Sequence, residues 1–311
     1  MSWLLWRQHR TQAFVATVGI CLFAVAVALT GVHMAHIYKS ALATCTANGT
    51  CDFVGNIFSG YGAIIDLVHL SIALPLLLGT FVGATLVARE REQATNVLVW
   101  TQTVTRRRWL VTKIATVLVG TLVASAIVTA LVTWWSSTSN SLDGNRFEGA
   151  QFDTQNILPI AFALFAVALG IAAGCVLRRT LPALATTVAA YVGVRLLVSV
   201  YLRPHYLKPM TRTFALTAGS TLPSGSWTMS QHLVDAAGRN ADGRISLPAS
   251  CQLSGKGGPI ACLARLGYHQ VVTYQPASHY WPFQWIESGL FLALAAALVA
   301  VAVVYTLRRD A

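Results

Sequence analysis

Six apolar runs, each about as long as a bilayer is thick, constrain this 311-residue chain more than any other feature. A helix needs about 20 apolar residues to cross the hydrocarbon core. Backbone groups in lipid must be satisfied internally, and these runs lack the alternation of barrel strands, so they predict helices. The predicted fold is an all-α polytopic membrane protein, one transmembrane domain over residues 1–311, with spans at about 13–36, 63–88, 114–135, 155–177, 181–202 and 286–307.

Charge is scarce and unevenly distributed. Only 11% of the residues are charged, and the formal net charge is +11. The segments on the side of the N-terminus hold twelve Arg and Lys residues, whereas the two short loops opposite hold only Lys39 and Arg146. The positive-inside rule therefore predicts a cell-membrane protein with both termini in the cytoplasm, in contact with anionic lipid. This distribution speaks against binding to nucleic acid.

Four of the six cysteines fall in the predicted outer loops. Cys45 and Cys51 lie in the first of these loops, and Cys251 and Cys262 lie in the last, which spans residues 203–282. Disulfides persist outside the cytoplasm, so the sequence predicts the pairs Cys45–Cys51 and Cys251–Cys262. Four free thiols are the alternative.

Motifs of enzymatic chemistry are missing from the sequence. The only Gly-Lys pair, Gly255-Lys256, lacks the context of a phosphate loop. There is neither an HExxH helix nor a GxSxG elbow, and the pair His33 and His36 supplies too few ligands for a metal site. We expect no catalytic residue, no metal and no cofactor on this chain.

Four ionisable residues fall within or at the edges of the predicted spans: Asp66, His69, Arg195 and Glu287. Charges at such depths are costly and usually pair or line a cavity. Asp66 and His69 share a helix face, and Arg195 could pair with Asp66 or with Glu287. Two interpretations remain open, a buried clasp between helices and a polar patch along a path that opens outward.

The stretch between spans two and three combines charge with apolar side chains. From Ala88 to Lys113 it reads AREREQATNVLVWTQTVTRRRWLVTK. A solvated, lipid-anchored connector would explain the arginines. It would not explain Val97, Leu98 and Trp100 exposed so close together, so the pattern favours docking to a cytoplasmic partner.

The charged start REREQAT and the following WTQTVTRRRW resemble the membrane subunits of ATP-driven exporters known as ABC-2 type permeases, as does YQPASHYWPFQWIE before the last run. The resemblance covers the whole chain and is strongest to compact actinobacterial members; Ala94 departs from the usual Gly. It implies a cytoplasmic coupling helix that seats on a separate ATPase subunit, which holds ATP and Mg. It also implies a second permease chain and re-entrant helices in the outer loop before span six. Carried over by position, the ATPase-coupling residues are Glu90, Glu92, Gln93, Thr95, Val97, Leu98, Trp100, Arg106, Arg107 and Arg108.

The expected function is therefore a permease subunit of an exporter for a hydrophobic or amphipathic substrate, such as a drug, an antibiotic or a lipid. Two alternatives remain open. An ion-coupled secondary carrier would use Asp66, His69, Arg195 and Glu287 as a relay, although it also predicts inverted repeats that the sequence lacks. A membrane sensor or assembly protein would use the long outer loop as a binding module.

Overall fold

The fold is built from six long helices, as the apolar runs predict. A computed structural model describes residues 2–48, 62–92, 106–143, 146–147, 149–216, 222–241 and 258–309. Six segments within these ranges are long and apolar enough to cross a membrane, judged by length and composition. They are span 1, Thr17–Ser40; span 2, Ile64–Arg89; span 3, Arg107–Ser137; span 4, Leu158–Leu177; span 5, Thr180–His205; and span 6, Ala277–Arg308.

Successive spans run in opposite directions, so the two ends of the chain lie on one side. We call this the terminal side and the opposite one the loop side. The helices that contain spans 1, 3, 4 and 6 are Ser2–Asn48, Arg106–Asp143, Leu158–Leu177 and Tyr280–Arg309. The first has 47 residues and, at about 1.5 Å per residue, is about 70 Å long, far more than the bilayer core needs. Its N-terminal turns continue directly into span 1.

Spans 2 and 5 change helix type along their length. Span 2 joins Gly62–Leu70, the 3₁₀ turn Ser71–Ala73, Leu74–Leu77, the π-helical segment Leu78–Ala84 and Thr85–Glu92. Pro75 explains the first irregularity, because it has no N–H to donate to the preceding turn. Span 5 continues from the α-helix Thr180–Leu196 into a π-helical turn, Leu197–Leu202, and a 3₁₀ turn, Arg203–His205.

Span 4 is the central helix. Within its most apolar window 72% of the residues are buried, against 17–39% for the other five spans. Spans 2, 3, 5 and 6 pack around it. Lipid-facing positions on the outer spans explain why so many large apolar side chains, such as Leu29 and Leu181, stay exposed.

Glycines set the distance between spans 2 and 4. The two GxxxG spacings, Gly79/Gly83 and Gly170/Gly174, face each other across this contact. A Cβ on Gly79 would lie 2.6 Å from the Ala166 carbonyl oxygen, and one on Gly174 would lie 2.7 Å from the Ala84 carbonyl oxygen. The helix backbones therefore touch directly, as small residues permit in membranes. Both spacings are therefore packing sites between spans 2 and 4.

The loop between spans 5 and 6 corrects the all-α prediction. It contains the strands β1, Met210–Ala215; β2, Trp227–Val234; and β3, His269–Gln275, in an antiparallel sheet of order β1-β3-β2. A short helix, Gly258–Arg265, precedes β3. These strands are rich in Thr, Val and aromatic residues, which favour pleated structure, but a search for runs of spanning length cannot register them.

The expectation of re-entrant helices before span 6 is also wrong for the described residues. Tyr274 lies in β3, a 3₁₀ turn covers Ala277–His279, and the helix of span 6 begins at Tyr280. Pro282 falls in the first turn of that helix, where a missing N–H costs nothing. The chain therefore passes from the sheet into the last span without a separate helical hairpin.

Candidate functional site

Two acids and two arginines meet at the loop-side ends of spans 4, 5 and 6. Asp153 lies on the short helix Gly149–Thr154, just before span 4. Arg195 and Arg203 lie on span 5, and Glu287 lies in the second turn of the span 6 helix. We call these four residues the ion cluster.

Arg203 is the centre of the cluster. Its Nε donates to Glu287 Oε2 at 2.8 Å, and its Nη2 donates to Glu287 Oε1 at 2.7 Å and to Asp153 Oδ1 at 2.6 Å. Arg195 Nη2 donates to Asp153 Oδ2 at 2.9 Å, and its Nη1 lies 3.8 Å from Glu287 Oε1. Each carboxylate thus faces both guanidinium groups, and the formal charges of the cluster cancel.

The cluster is almost fully removed from solvent. The Glu287 side chain is 0% exposed, and those of Arg203, Asp153 and Arg195 are 9%, 11% and 13% exposed. The Arg195 guanidinium lies 3.6 Å from the centre of the Phe162 ring, and the Arg203 guanidinium lies 4.6 Å from that of Phe152. Ring faces attract desolvated cations, so the aromatic side chains stabilise both guanidinium groups in this largely buried position.

The π-helical turn Leu197–Leu202 explains how one helix presents both arginines to the same carboxylates. In a regular α-helix, residues eight apart are rotated by about 80° from each other. The π turn holds more residues per turn, since its bonds run from i to i+5. It thereby reduces this rotation and brings Arg203 round to the face that carries Arg195.

A polar network continues from the cluster toward the sheet. Gln284 Nε2 donates to the Phe152 carbonyl at 3.0 Å, and its Oε1 accepts from the Leu158 amide at 3.2 Å. Asn156 has a positive φ of 61°, which asparagine tolerates better than most residues, and its Nδ2 donates to the Tyr280 hydroxyl at 2.7 Å. These bonds fix the start of span 4 against span 6.

The sequence predicted only part of this cluster. Arg195 and Glu287 are brought together, but Asp66 is exposed, and neither Asp66 nor His69 joins the cluster. The prediction that Arg195 could pair with Asp66 is wrong, because Asp153 occupies that position. Asp153 and Arg203 lie just outside the predicted spans, so the sequence prediction of buried charges did not include them. Scarcity of acidic residues could have indicated Asp153, because the chain has only 11 of them and an acid at the edge of an apolar run usually has a partner.

On the terminal side, Glu92 ends the helix that continues span 2. Its Oε2 accepts from the Thr180 amide at 3.0 Å and from the Thr180 hydroxyl at 2.6 Å. Thr180 is the first residue of the span 5 helix, so the carboxylate caps the positive end of that helix. The Thr180 hydroxyl bond, followed by the amide bond, lowers the pKa of Glu92.

The remaining coupling residues are only partly described. Arg107 and Arg108 are exposed at the start of span 3. Gln93, Thr95, Val97, Leu98 and Trp100, together with the side chains of Glu90 and Arg106, lie outside the described residues. Their role in coupling stays a prediction.

The predicted disulfides and the expected absence of a metal both stay predictions. Cys51 and Cys251 lie outside the described residues, so the pairs Cys45–Cys51 and Cys251–Cys262 stay predictions. Cys21 and Cys175 form no disulfide with a residue that the structure describes. Among the described residues, no group of three or more His, Cys, Asp or Glu side chains is placed to hold a metal ion.

The helix arrangement agrees with a comparison against protein families. The profile of the family described as ABC-2 membrane transporter related matches residues 17–203, which is more than half of the chain. The chain belongs to this family. The match extends from span 1 to the end of span 5 and includes the charged stretch between spans 2 and 3. It identifies the molecule as an ABC-2 type permease, a multi-pass membrane protein. No curated protein and no solved structure matches it.

The Glu92 cap of the permease makes a testable prediction. Glu92→Ala is expected to raise the amide hydrogen exchange of the first turn of span 5, while Glu92→Gln, which keeps an acceptor oxygen, should raise it less. The fold lowers the pKa of Glu92 below the ordinary value of 4.5. The carboxylate should therefore stay ionised, and the cap should persist, at pH 4.5. It should be lost only as the pH falls below that value. Equal exchange in the parent and in both variants would contradict the cap.

Proposed function

We propose that this permease is the transmembrane subunit of an ABC exporter that moves a hydrophobic or amphipathic molecule across the cell membrane. The observation that carries the proposal is the family match over spans 1–5. ATP and Mg would bind to a separate ATPase subunit, and this chain would contribute no catalytic residue. A second permease chain would complete the transport unit.

The stretch between spans 2 and 3 is the proposed ATPase contact. It connects Glu92, at the end of one helix, to Arg106, at the start of the next, and carries the apolar residues Val97, Leu98 and Trp100. Because Glu92 also caps span 5, a displacement of this stretch would act on spans 2, 3 and 5 together. A short segment that joins helices in this way can convert ATPase closure into a rigid-body shift of those helices.

The proposed orientation places the terminal side in the cytoplasm. Its support is the charge asymmetry, twelve Arg and Lys residues on that side against two in the short loops opposite. The sheet and the ion cluster would then lie at the outer face. The proposed disulfides would also lie there, in an oxidising compartment.

The ion cluster is proposed to be a clasp that holds spans 4, 5 and 6 together, and not a proton relay. Its charges cancel, both carboxylates are bonded to guanidinium groups, and Glu287 is fully buried. A relay needs a group that exchanges protons with water along a path. This geometry speaks against the ion-coupled carrier.

Trp100 provides the sharpest test of the ATPase contact. If the neighbouring reading frame encodes a Walker A protein, the permease would be co-expressed with it, purified and reconstituted in lipid. Trp100→Ala is expected to weaken the complex about thirtyfold, as for an aromatic interface hot spot of about 2 kcal/mol. It should also abolish the substrate-stimulated ATPase activity.

Trp281→Ala is the matched control, since Trp281 is a half-exposed tryptophan on the loop side and should leave the complex intact. The exporter proposal fails if the ATPase does not co-purify with the parent chain. It also fails if transport follows the proton gradient and ignores ATP.

A further inference from the structure

A groove runs along the loop-side half of span 3, beside the start of span 4. Its volume is about 480 Å³, and its lining includes Thr129, Ala130, Thr133, Trp134, Ser137 and Asn156. Ala126 is the lining residue of span 3 that lies farthest from the loop side, and Ser137 is the nearest to it. Between these two residues the helix rises about 16 Å. That distance is close to half of a hydrocarbon core of about 30 Å, so the groove has the length of one leaflet.

Three hydroxyl groups form a row in the groove. Thr129, Thr133 and Ser137 are four residues apart and therefore lie on one face of span 3. Thr133 Oγ1 accepts from the Asn156 amide at 2.9 Å, which leaves the hydroxyl hydrogen of Thr133 to donate. Polar groups are concentrated at the loop-side end, while Ala126, Ala130 and Ile160 make the remaining wall apolar.

Thr129 lies deepest in the row and is only 5% exposed, yet it lines the groove. Its hydroxyl makes no hydrogen bond to any residue that the structure describes, so it is available to a molecule in the groove. Other hydroxyls of the same helix differ, since Thr116 donates to the Thr112 carbonyl at 2.8 Å and Ser125 donates to the Leu122 carbonyl at 3.2 Å. Within the row, Ser137 donates to the Trp134 carbonyl at 2.6 Å, so it can only accept a hydrogen bond from a bound molecule.

Behind Thr129 the groove closes. The gap that continues inward between spans 2, 3 and 4 has a volume of only about 10 Å³ and also borders Ser71 and Thr154. That space holds at most about one water molecule. Thr129 therefore forms part of the inner wall of the space that a larger molecule can occupy.

We propose that this groove binds an uncharged amphipathic molecule, with its hydrogen-bonding groups along the row from Ser137 to Thr129 and its apolar part against Ala130 and Trp134. No lining side chain carries a charge, so a charged head would lose its hydration without gaining a counter-ion. Trp134 is 47% exposed, which leaves the groove open sideways to the leaflet. The assignment of this molecule as exported cargo rests on the proposed function.

The test uses the purified full-length permease in phosphatidylcholine nanodiscs, without the ATPase. The probes are a monoacylglycerol with a diazirine in its chain and the phosphorylated, charged analogue of that lipid. Photolabelling by the uncharged probe is expected on the peptides that contain residues 126–137 and 156–160, with little labelling by the charged analogue.

Two variants and two matched controls locate the site. Ala130→Phe fills the groove and should abolish the labelling, whereas Val123→Phe, at a lipid-exposed position of the same span, should not. Thr129→Val removes one hydroxyl at nearly constant volume and should weaken binding about fivefold, the value of one hydrogen bond. Thr116→Val, whose hydroxyl is satisfied by its own helix, should leave binding unchanged.

Three results would overturn the inference: equal labelling by both probes, equal losses in variants and controls, or protection of the groove by a second permease chain in cross-linked dimers. Export that survives Ala130→Phe after binding is lost would remove the groove from the transport path and leave the exporter intact. Binding at the groove in a chain that supports no ATP-driven transport would refute the proposed function and leave the site in place.

Discussion

Replacing Glu287 with glutamine should lower the free energy of unfolding by about 3–5 kcal/mol, as expected when one member of a buried ion cluster is removed. Glu287 accepts two hydrogen bonds from Arg203 and lies 3.8 Å from Arg195. Without its charge, two buried guanidinium groups share the single carboxylate of Asp153. Unfolding in mixed micelles, followed by circular dichroism, measures the loss.

A double variant tests whether the ion cluster is a structural clasp or a proton relay. Changing Glu287 and Arg203 together to methionine leaves the pair Asp153–Arg195, at 2.9 Å, with no net charge. We expect this chain to be more stable than Glu287→Gln, since apolar residues can replace buried ion pairs. The control Asp66→Asn changes an exposed carboxylate and should cost less than about 0.5 kcal/mol. If Glu287→Gln folds with parental stability but stops transport, the clasp is wrong.

The second large effect is expected at the contact between spans 2 and 4. Gly170→Ala would place a Cβ 2.6 Å from the Ala84 amide nitrogen and against the Gly79 carbonyl oxygen. Both obstacles are backbone atoms, so the two helices must separate. We expect a loss of about 3 kcal/mol in the free energy of unfolding, at the upper end for overpacking, measured in the same micelle titration.

Gly120→Ala and Gly193→Ala are the matched controls. A Cβ at either position meets nothing within 4 Å, and alanine is the better helix former by about 0.5–1 kcal/mol. These variants should therefore be as stable as the parent or more stable. If Gly170→Ala behaves like the controls, spans 2 and 4 are not in backbone contact.

The spans could be predicted because they depend on local properties. Length and hydropathy determine whether a segment can cross a bilayer, and both can be read from that segment without knowing what it packs against. The interruption of span 5 by Arg195 did not disturb the prediction, because a single charge is tolerated within a span when it is paired. The facing glycines could be anticipated for a similar reason, since their spacing is visible within each run.

The partners of the charges could not be predicted, because pairing depends on how far each helix is rotated. Asp66 and Asp153 both border apolar runs, but only Asp153 faces span 5. The π-helical turn that aligns Arg195 with Arg203 has no signature in the sequence LVSVYL. The sheet was missed because the residues of β3 pair with residues about 35 to 64 positions away in sequence, and such pairing leaves only a weak local pattern.

The π-helical turn Leu197–Leu202 also changes what a deletion would do in this part of the chain. Removing one residue from it would restore α-helical bonding and leave the span long enough for the bilayer. Arg203 would then lie seven residues from Arg195, which is a rotation of only about 20° around an α-helix, so both guanidinium groups would still face the same carboxylates. The wide turn thus absorbs one extra residue without changing the direction in which Arg203 points. Removing a second residue would turn Arg203 by about 100° and away from Glu287. Sequence alignments of related permeases should accordingly tolerate a gap of one residue within this turn, but not a gap of two.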